Sequence, residues 1–162
     1  MAFFITGDIH GTTNIHKLQR FFLGRENEFS KEEDYVIICG DVGVCGFSAE
    51  EVETRRILRE LPVTTLFIDG NHENFEQLNS YAEEEWNGGK VHKIRPSVIH
   101  LMRGQIFEID GKSIFTFGGA SSHDIDGGIL ELEDPYYKEK KKKLDKGFLP
   151  YRINHVSWWQ QE

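Results

Sequence analysis

The 162-residue chain reads as one α/β domain, residues 1–162, with parallel strands first and an antiparallel meander after them. Three observations predict this. Short runs rich in β-branched and aromatic residues, Phe3-Phe4-Ile5-Thr6, Tyr35-Val36-Ile37-Ile38-Cys39 and Thr65-Leu66-Phe67-Ile68, have the composition of strands buried on both faces. Each run finishes in a glycine followed by polar groups: Gly7-Asp8-Ile9-His10-Gly11, Gly40-Asp41-Val42-Gly43 and Gly70-Asn71-His72-Glu73. The three turns are almost evenly spaced, at about the length of a strand, a crossover helix and the next strand, so the simplest sheet brings all three ends to one edge. Open α/β sheets bind ligands there.

The first helix is predicted over residues 14–23, with Asn14 as cap, Ile15, Leu18, Phe21 and Phe22 facing inward, and Gly24 past its end. A second opens at Ser48, where Ser48-Ala49-Glu50-Glu51 forms a capping box, and stops before Pro62. Phe75, Leu78 and Tyr81 carry helical spacing over a third, shorter segment that starts near Asn74, after which Glu83-Glu84-Glu85 leads into Gly88-Gly89. From Lys90 the period becomes alternating, and residues 98–102, 105–109 and 113–117 read as three strands, the last two joined by the hairpin turn Asp110-Gly111. Asp134-Pro135 opens a last helix that Lys146-Gly147 closes. Ser157-Trp158-Trp159-Gln160 has the pattern of one more helix start.

Composition excludes several classes. A formal charge of −8 and a pI near 5.4 argue against nonspecific binding to nucleic acid or anionic membranes, which requires a basic face. No stretch approaches the roughly twenty apolar residues of a membrane span, and Met1-Ala2 runs into a strand without a basic leader, so a cytoplasmic location is expected. Cys39 and Cys45 match neither a zinc knuckle nor a redox pair and read as structural thiols. The run Lys140 to Lys143 near a helix C-terminus complements the helix dipole and reads as a solvated face.

Chemistry concentrates at the three turns. Asp8 and His10 are two residues apart at a strand exit, so extended backbone projects both to one side, where a single ion can take both. Mixed carboxylate and imidazole donors suit Mn²⁺, Fe²⁺ or Zn²⁺ better than Ca²⁺ or Mg²⁺. Asp41 arrives from the neighbouring strand with two oxygens, enough to bridge two ions about 3.5–4 Å apart, and Asn71 adds a neutral amide oxygen to the second.

GDIHG, GDVG and GNHE, in this order and spacing, resemble the first three motifs of the calcineurin-like metallophosphoesterases. The resemblance covers roughly the first half of such a domain. It implies a two-sheet αββα sandwich, incomplete in this chain, and two divalent ions of the Mn, Fe or Zn type. Residue by residue it implies Asp8 and His10 on the first ion, Asp41 as the bridge, Asn71 on the second ion and the phosphate, and His72 on the phosphate as the leaving-group acid. Two ions bring four positive charges, of which Asp8 and Asp41 cancel two, leaving a field that attracts a phosphate dianion. Water bridging them becomes nucleophilic near neutral pH, and His72 is the evident proton donor for the leaving alkoxide.

The chain departs from the family pattern in two places. Where relatives carry an aspartate that orients the third motif's histidine, this chain has Val44, which leaves His72 to be oriented by Glu73 or by nothing. The later histidine motifs have no counterpart among His16, His92, His100, His123 and His155, and a truncated domain, or a site completed by a second chain or a further C-terminal segment, is expected. His92 and His100 read as surface or edge residues. The glycine-rich stretch before His123 is placed to fold back over the site, and residues 124–147 fit either a lid or a plain surface insertion. The expected function is a phosphatase or other phosphoesterase that hydrolyses a small phosphorylated substrate, a phosphomonoester or a phosphodiester, by attack of hydroxide bound to manganese or another of these metals. A noncatalytic scaffold of the same fold and a nuclease are the alternatives.

Overall fold

A computed structural model describes residues 1–162, and the order expected from the sequence, parallel strands followed by antiparallel ones, is what the chain adopts. Strands β1 (Phe3–Thr6), β2 (Tyr35–Cys39) and β3 (Thr64–Ile68) pair in parallel in that sequence. Helix α1 (Ile15–Phe22) joins the first pair and α2 (Ala49–Glu60) the second. Alternate residues of β2 serve two cores: Val36 and Ile38 face the helices, and Tyr35 and Ile37 face the opposite layer. Burial on both faces explains the uninterrupted apolar runs.

The helix starts follow their local chemistry. Ser48 accepts from the Glu51 amide and the Glu51 carboxylate accepts from the Ser48 amide, completing the capping box. Asn14 occupies the cap position of α1 without a side-chain hydrogen bond, and Phe21, expected inside, is 45% exposed while Ile15 and Phe22 are buried. Helix α3 is a single turn, Phe75–Leu78, held by Asn74, whose side chain accepts from the Gln77 amide.

The antiparallel half differs in detail from a simple meander. β4 (Glu83–Trp86) and β5 (Gly89–Arg95) form a hairpin, and β6 (Val98–Leu101) lies between β5 and β3, giving a six-stranded sheet in the order β1-β2-β3-β6-β5-β4. β6 is parallel to β3 and antiparallel to β5, so residues 98–102 extend the parallel sheet and do not pair with the next hairpin. β7 (Gln105–Ile109) and β8 (Lys112–Thr116) make that hairpin, with Asp110 and Gly111 both at positive φ in its turn. Phe107 and Ile109 pack it onto the sheet face opposite the helices.

From Gly118 the chain crosses back over the strand ends. Two-residue strands β9 (Ile129–Leu130) and β10 (Arg152–Ile153) pair in parallel and bracket α4 (Tyr137–Gly147), which carries the lysine run and has no buried residue. The helix expected at Ser157 does not form. The Ser157 hydroxyl accepts from the Ile153 amide and residues 154–158 make a tight turn, because Trp159 is drawn into the helix-side core. No helix is long and apolar enough to cross a membrane.

Candidate metal centre

Because β1, β2 and β3 are adjacent and parallel, Asp8, Asp41 and Asn71 leave the sheet at the same edge. Two backbone hydrogen bonds fasten the first two turns together, the His10 amide to the Asp41 carbonyl at 2.8 Å and the Gly11 amide to the Val42 carbonyl at 3.1 Å. His10 and Asp41 both hold left-handed backbone, with φ of 47° and 46°. Such conformations are costly for residues with a Cβ and cluster at functional sites.

One ligand atom each from Asp8, His10 and Asp41 lies within 4.8 Å of the others. The His10 Nε2 is 3.9 Å from Asp8 Oδ2 and 3.8 Å from Asp41 Oδ2, and His72 Nε2 is 3.9 Å from that same Asp41 oxygen. These gaps are too wide for hydrogen bonds. Ligands about 2.1 Å from a common ion stand roughly 3–3.7 Å apart, so a small contraction turns this group into a coordination shell. The buried Asp41 is held by its other oxygen, which accepts the His72 amide at 3.0 Å. Donor chemistry, spacing and orientation all fit a divalent ion.

Asn71, just past the end of β3, lines the same cavity as Asp8 and Asp41. Its amide nitrogen donates to Ser122 Oγ at 3.1 Å, and the Glu162 carboxylate accepts both the Ser122 amide and hydroxyl at 2.8 Å. That tether spends the nitrogen side of the amide and leaves the oxygen for a cation. Asp8, Asp41 and Asn71 open into a cavity of about 390 Å³ whose far wall is Phe115, Phe117 and Gly118.

Glu73 is not the orienter of His72. Its carboxylate is buried on the far side of the turn, where Oε1 accepts the Val42 amide at 2.6 Å, and burial pushes the carboxyl up to about 7. Arg55 of α2 supports the same turn, its guanidinium donating to the carbonyls of Val44 and Gly46. The side chain that reaches His72 is Arg152, whose terminal nitrogens lie 3.0 and 3.2 Å from the two ring nitrogens. Asp124 fixes Arg152 in turn, with contacts of 2.9 Å from Nε and 2.6 Å from Nη2. Burial pushes the Asp124 carboxyl up, but the Arg152 hydrogen bonds outweigh it and hold the group below its ordinary value.

The stretch around His123 does fold back over the site, as its glycines suggest, but through its neighbours Ser122 and Asp124; His123 itself is exposed. His92 and His100, read from the sequence as surface residues, are buried. His100 Nε2 lies 2.9 Å from Asp69, and the two histidines face one another at 3.1 Å between Nδ1 atoms. Asp69 also takes Arg103 Nε at 2.5 Å. Burial pushes the Asp69 carboxyl up, yet the hydrogen bonds from His100 and Arg103 keep it below the ordinary range. This network props the Asp69-Gly70 step that delivers Asn71.

A family model for the calcineurin-like phosphoesterases matches residues 1–161. The chain belongs to that family. Nothing among curated proteins or solved structures matches it. Membership carries a general phosphoesterase-type function, and the family typically binds divalent metals; in this calcineurin-like phosphoesterase Asp8, His10 and Asp41 form a group that could hold an ion.

Proposed function

We propose that the protein is a dinuclear metal-dependent phosphoesterase that hydrolyses a small phosphate ester at the carboxyl edge of β1–β3. The observation that carries this reading is the convergence of the Asp8, His10 and Asp41 donor atoms at hydrogen-bond-breaking but coordination-compatible distances. Asp8, His10 and Asp41 would hold one ion, and Asp41 with Asn71 would contribute to a second. When bound, Mn²⁺, Fe²⁺ or Zn²⁺ supplies Lewis-acid charge to the phosphoryl oxygens and lowers the pKa of water toward neutrality.

The remaining work falls to this chain's own side chains. Asn71, tethered through Ser122, presents an amide oxygen in fixed orientation. His72 lies beside the cluster, 3.9 Å from Asp41, where its ring nitrogen is placed to hand a proton to a leaving alkoxide. Gly70 keeps the space beside Asp41 clear. The acidic surface and the free thiols of Cys39 and Cys45 suit a cytoplasmic enzyme with a small anionic substrate better than a nuclease.

The test is hydrolysis of p-nitrophenyl phosphate and bis-p-nitrophenyl phosphate with and without Mn²⁺, with elemental analysis of the purified protein. Metal-dependent turnover that Asp41→Asn abolishes is expected. Absence of turnover together with no ion, or one loosely held, would replace the enzyme with a noncatalytic scaffold.

A further inference from the structure

Arg152 is eighty residues from His72 in sequence and touches it in space. It arrives on β10, whose register places Arg152 beside Ile129, and its own amide donates to the Gly128 carbonyl. The backbone that delivers the side chain is therefore fixed at both strands of the pair. Only 13% of the side chain remains exposed.

The donor inventory of the guanidinium is informative. Five N–H groups are available. Nε–H and one Nη2–H go to the Asp124 carboxylate. Of the three that remain, one on Nη1 and one on Nη2 lie toward the ring nitrogens of His72. A neutral imidazole accepts at only one nitrogen, and the two ring nitrogens diverge, so one guanidinium cannot satisfy both in the ring plane. At least one of the two donors beside His72 is therefore left unspent, next to a ring whose Nε2 is 3.9 Å from Asp41 Oδ2. Among Asp8, His10, Asp41, Asn71 and His72, the only arginine or lysine in polar contact is Arg152.

A salt bridge whose only task was to close the segment between residues 124 and 152 would need no such placement. A planar fork with free donors, aimed by a carboxylate behind it, is the arrangement that grips a tetrahedral oxyanion. We propose that Arg152 binds the phosphate of the substrate, that Asp124 is its positioning residue, and that this pair selects phosphomonoester dianions over diester monoanions. The inference rests on the phosphoesterase reading above and names the substrate class for it. A fixed cation beside His72 gains most from the second negative charge of a monoester, and a diester replaces one of the recognised oxygens with a bulky, uncharged ester oxygen.

The experiment compares wild type with Arg152→Ala, Arg152→Lys and Asp124→Asn on both nitrophenyl esters in Mn²⁺. Binding of inorganic phosphate is measured by isothermal titration on the same preparations, and thermal unfolding checks the fold. Removing charged hydrogen bonds to phosphate should raise KM for the monoester about 10–100-fold and weaken phosphate binding to a similar degree. KM for the diester should move less than about threefold. Arg152→Lys, which keeps the charge but not the fork, should fall between wild type and Arg152→Ala, and so should Asp124→Asn. If Arg152→Ala does not fold, these two milder variants carry the comparison. Equal losses on both esters with phosphate affinity unchanged would overturn the assignment of Arg152 and leave the phosphoesterase reading standing. Arg152-dependent phosphate binding without turnover by wild type would overturn that reading and leave Arg152 as an anion-binding residue.

Discussion

Gly70 faces the carboxylate of Asp41 with no room for a side chain: a methyl group there would overlap Oδ1 and lie 2.6 Å from the Asp41 nitrogen. The glycine at the end of β3 is thus required by the carboxylate at the end of β2. Gly70→Ala should lower stability by about 1–3 kcal/mol and cost about tenfold or more in metal affinity, because Asp41 must shift to admit the methyl group. Thermal unfolding with and without Mn²⁺ checks both effects, and wild-type metal affinity in the variant would contradict the close approach.

Asp41 and His72 should fail in different ways. Asp41→Asn is expected to be the most damaging single change, losing metal and turnover together, since in the proposed dinuclear site Asp41 would serve both ion positions. His72→Ala should keep its metal and lose turnover by about 10²–10⁴-fold, with the larger loss on poor leaving groups such as alkyl phosphates. Equal losses for alkyl and nitrophenyl leaving groups would remove His72 from the acid role.

Glu73 has a structural task that two substitutions separate. Glu73→Ala leaves the Val42 amide without its acceptor and opens a cavity, and should cost about 2–4 kcal/mol. Glu73→Gln keeps an acceptor of the same size and removes a charge that burial disfavours, so a loss of about 1 kcal/mol or less is expected. The leaving-group dependence of Glu73→Gln should match wild type; a variant that behaved like His72→Ala would restore Glu73 as the orienter of His72.

The buried pair His92 and His100 gives the fold a dependence on acid. Burial, and then the neighbouring His100, depress the His92 pKa, while Glu83 across the hairpin and Asp69 below it pull weakly the other way. Below the unfolded value of about 6.5 the unfolded chain takes up a proton that the folded chain resists, so stability falls as pH drops from about 7 toward 5. Melting temperature measured across that range should fall for wild type and stay flatter for His92→Gln. An equal slope in both proteins would rule out His92 as the source.

The first half of the fold was legible because its signals are local. A β-branched run, a glycine and a carboxylate are read within a dozen residues, and Asp8, His10 and Asp41 met where strand adjacency required. β4 was not legible, since Glu83-Glu84-Glu85 lies on an exposed edge strand with no apolar face to betray it. His92 and His100 were misjudged for the opposite reason: they satisfy one another and Asp69, partners that no local pattern reveals. Arg152 is the extreme case. Its meaning lies in a contact to His72 across the whole second half of the chain, and the nearest available sign was the Asp124 carboxylate downstream of a glycine-rich crossing.

Ser122 is tied to Asn71 and Glu162, and Asp124 to Arg152, so the excursion that carries α4 is fastened at both of its roots before it leaves the site. Helix α4 contributes no buried residue to either core. The roots therefore work as a mounting bracket: residues between Glu131 and Pro150, which lie outside the β9–β10 pairing, can be shortened, lengthened or exchanged for another sequence without moving the strand ends beneath. The length and charge of the α4 excursion become modular properties, separable from the groups that its roots hold in place.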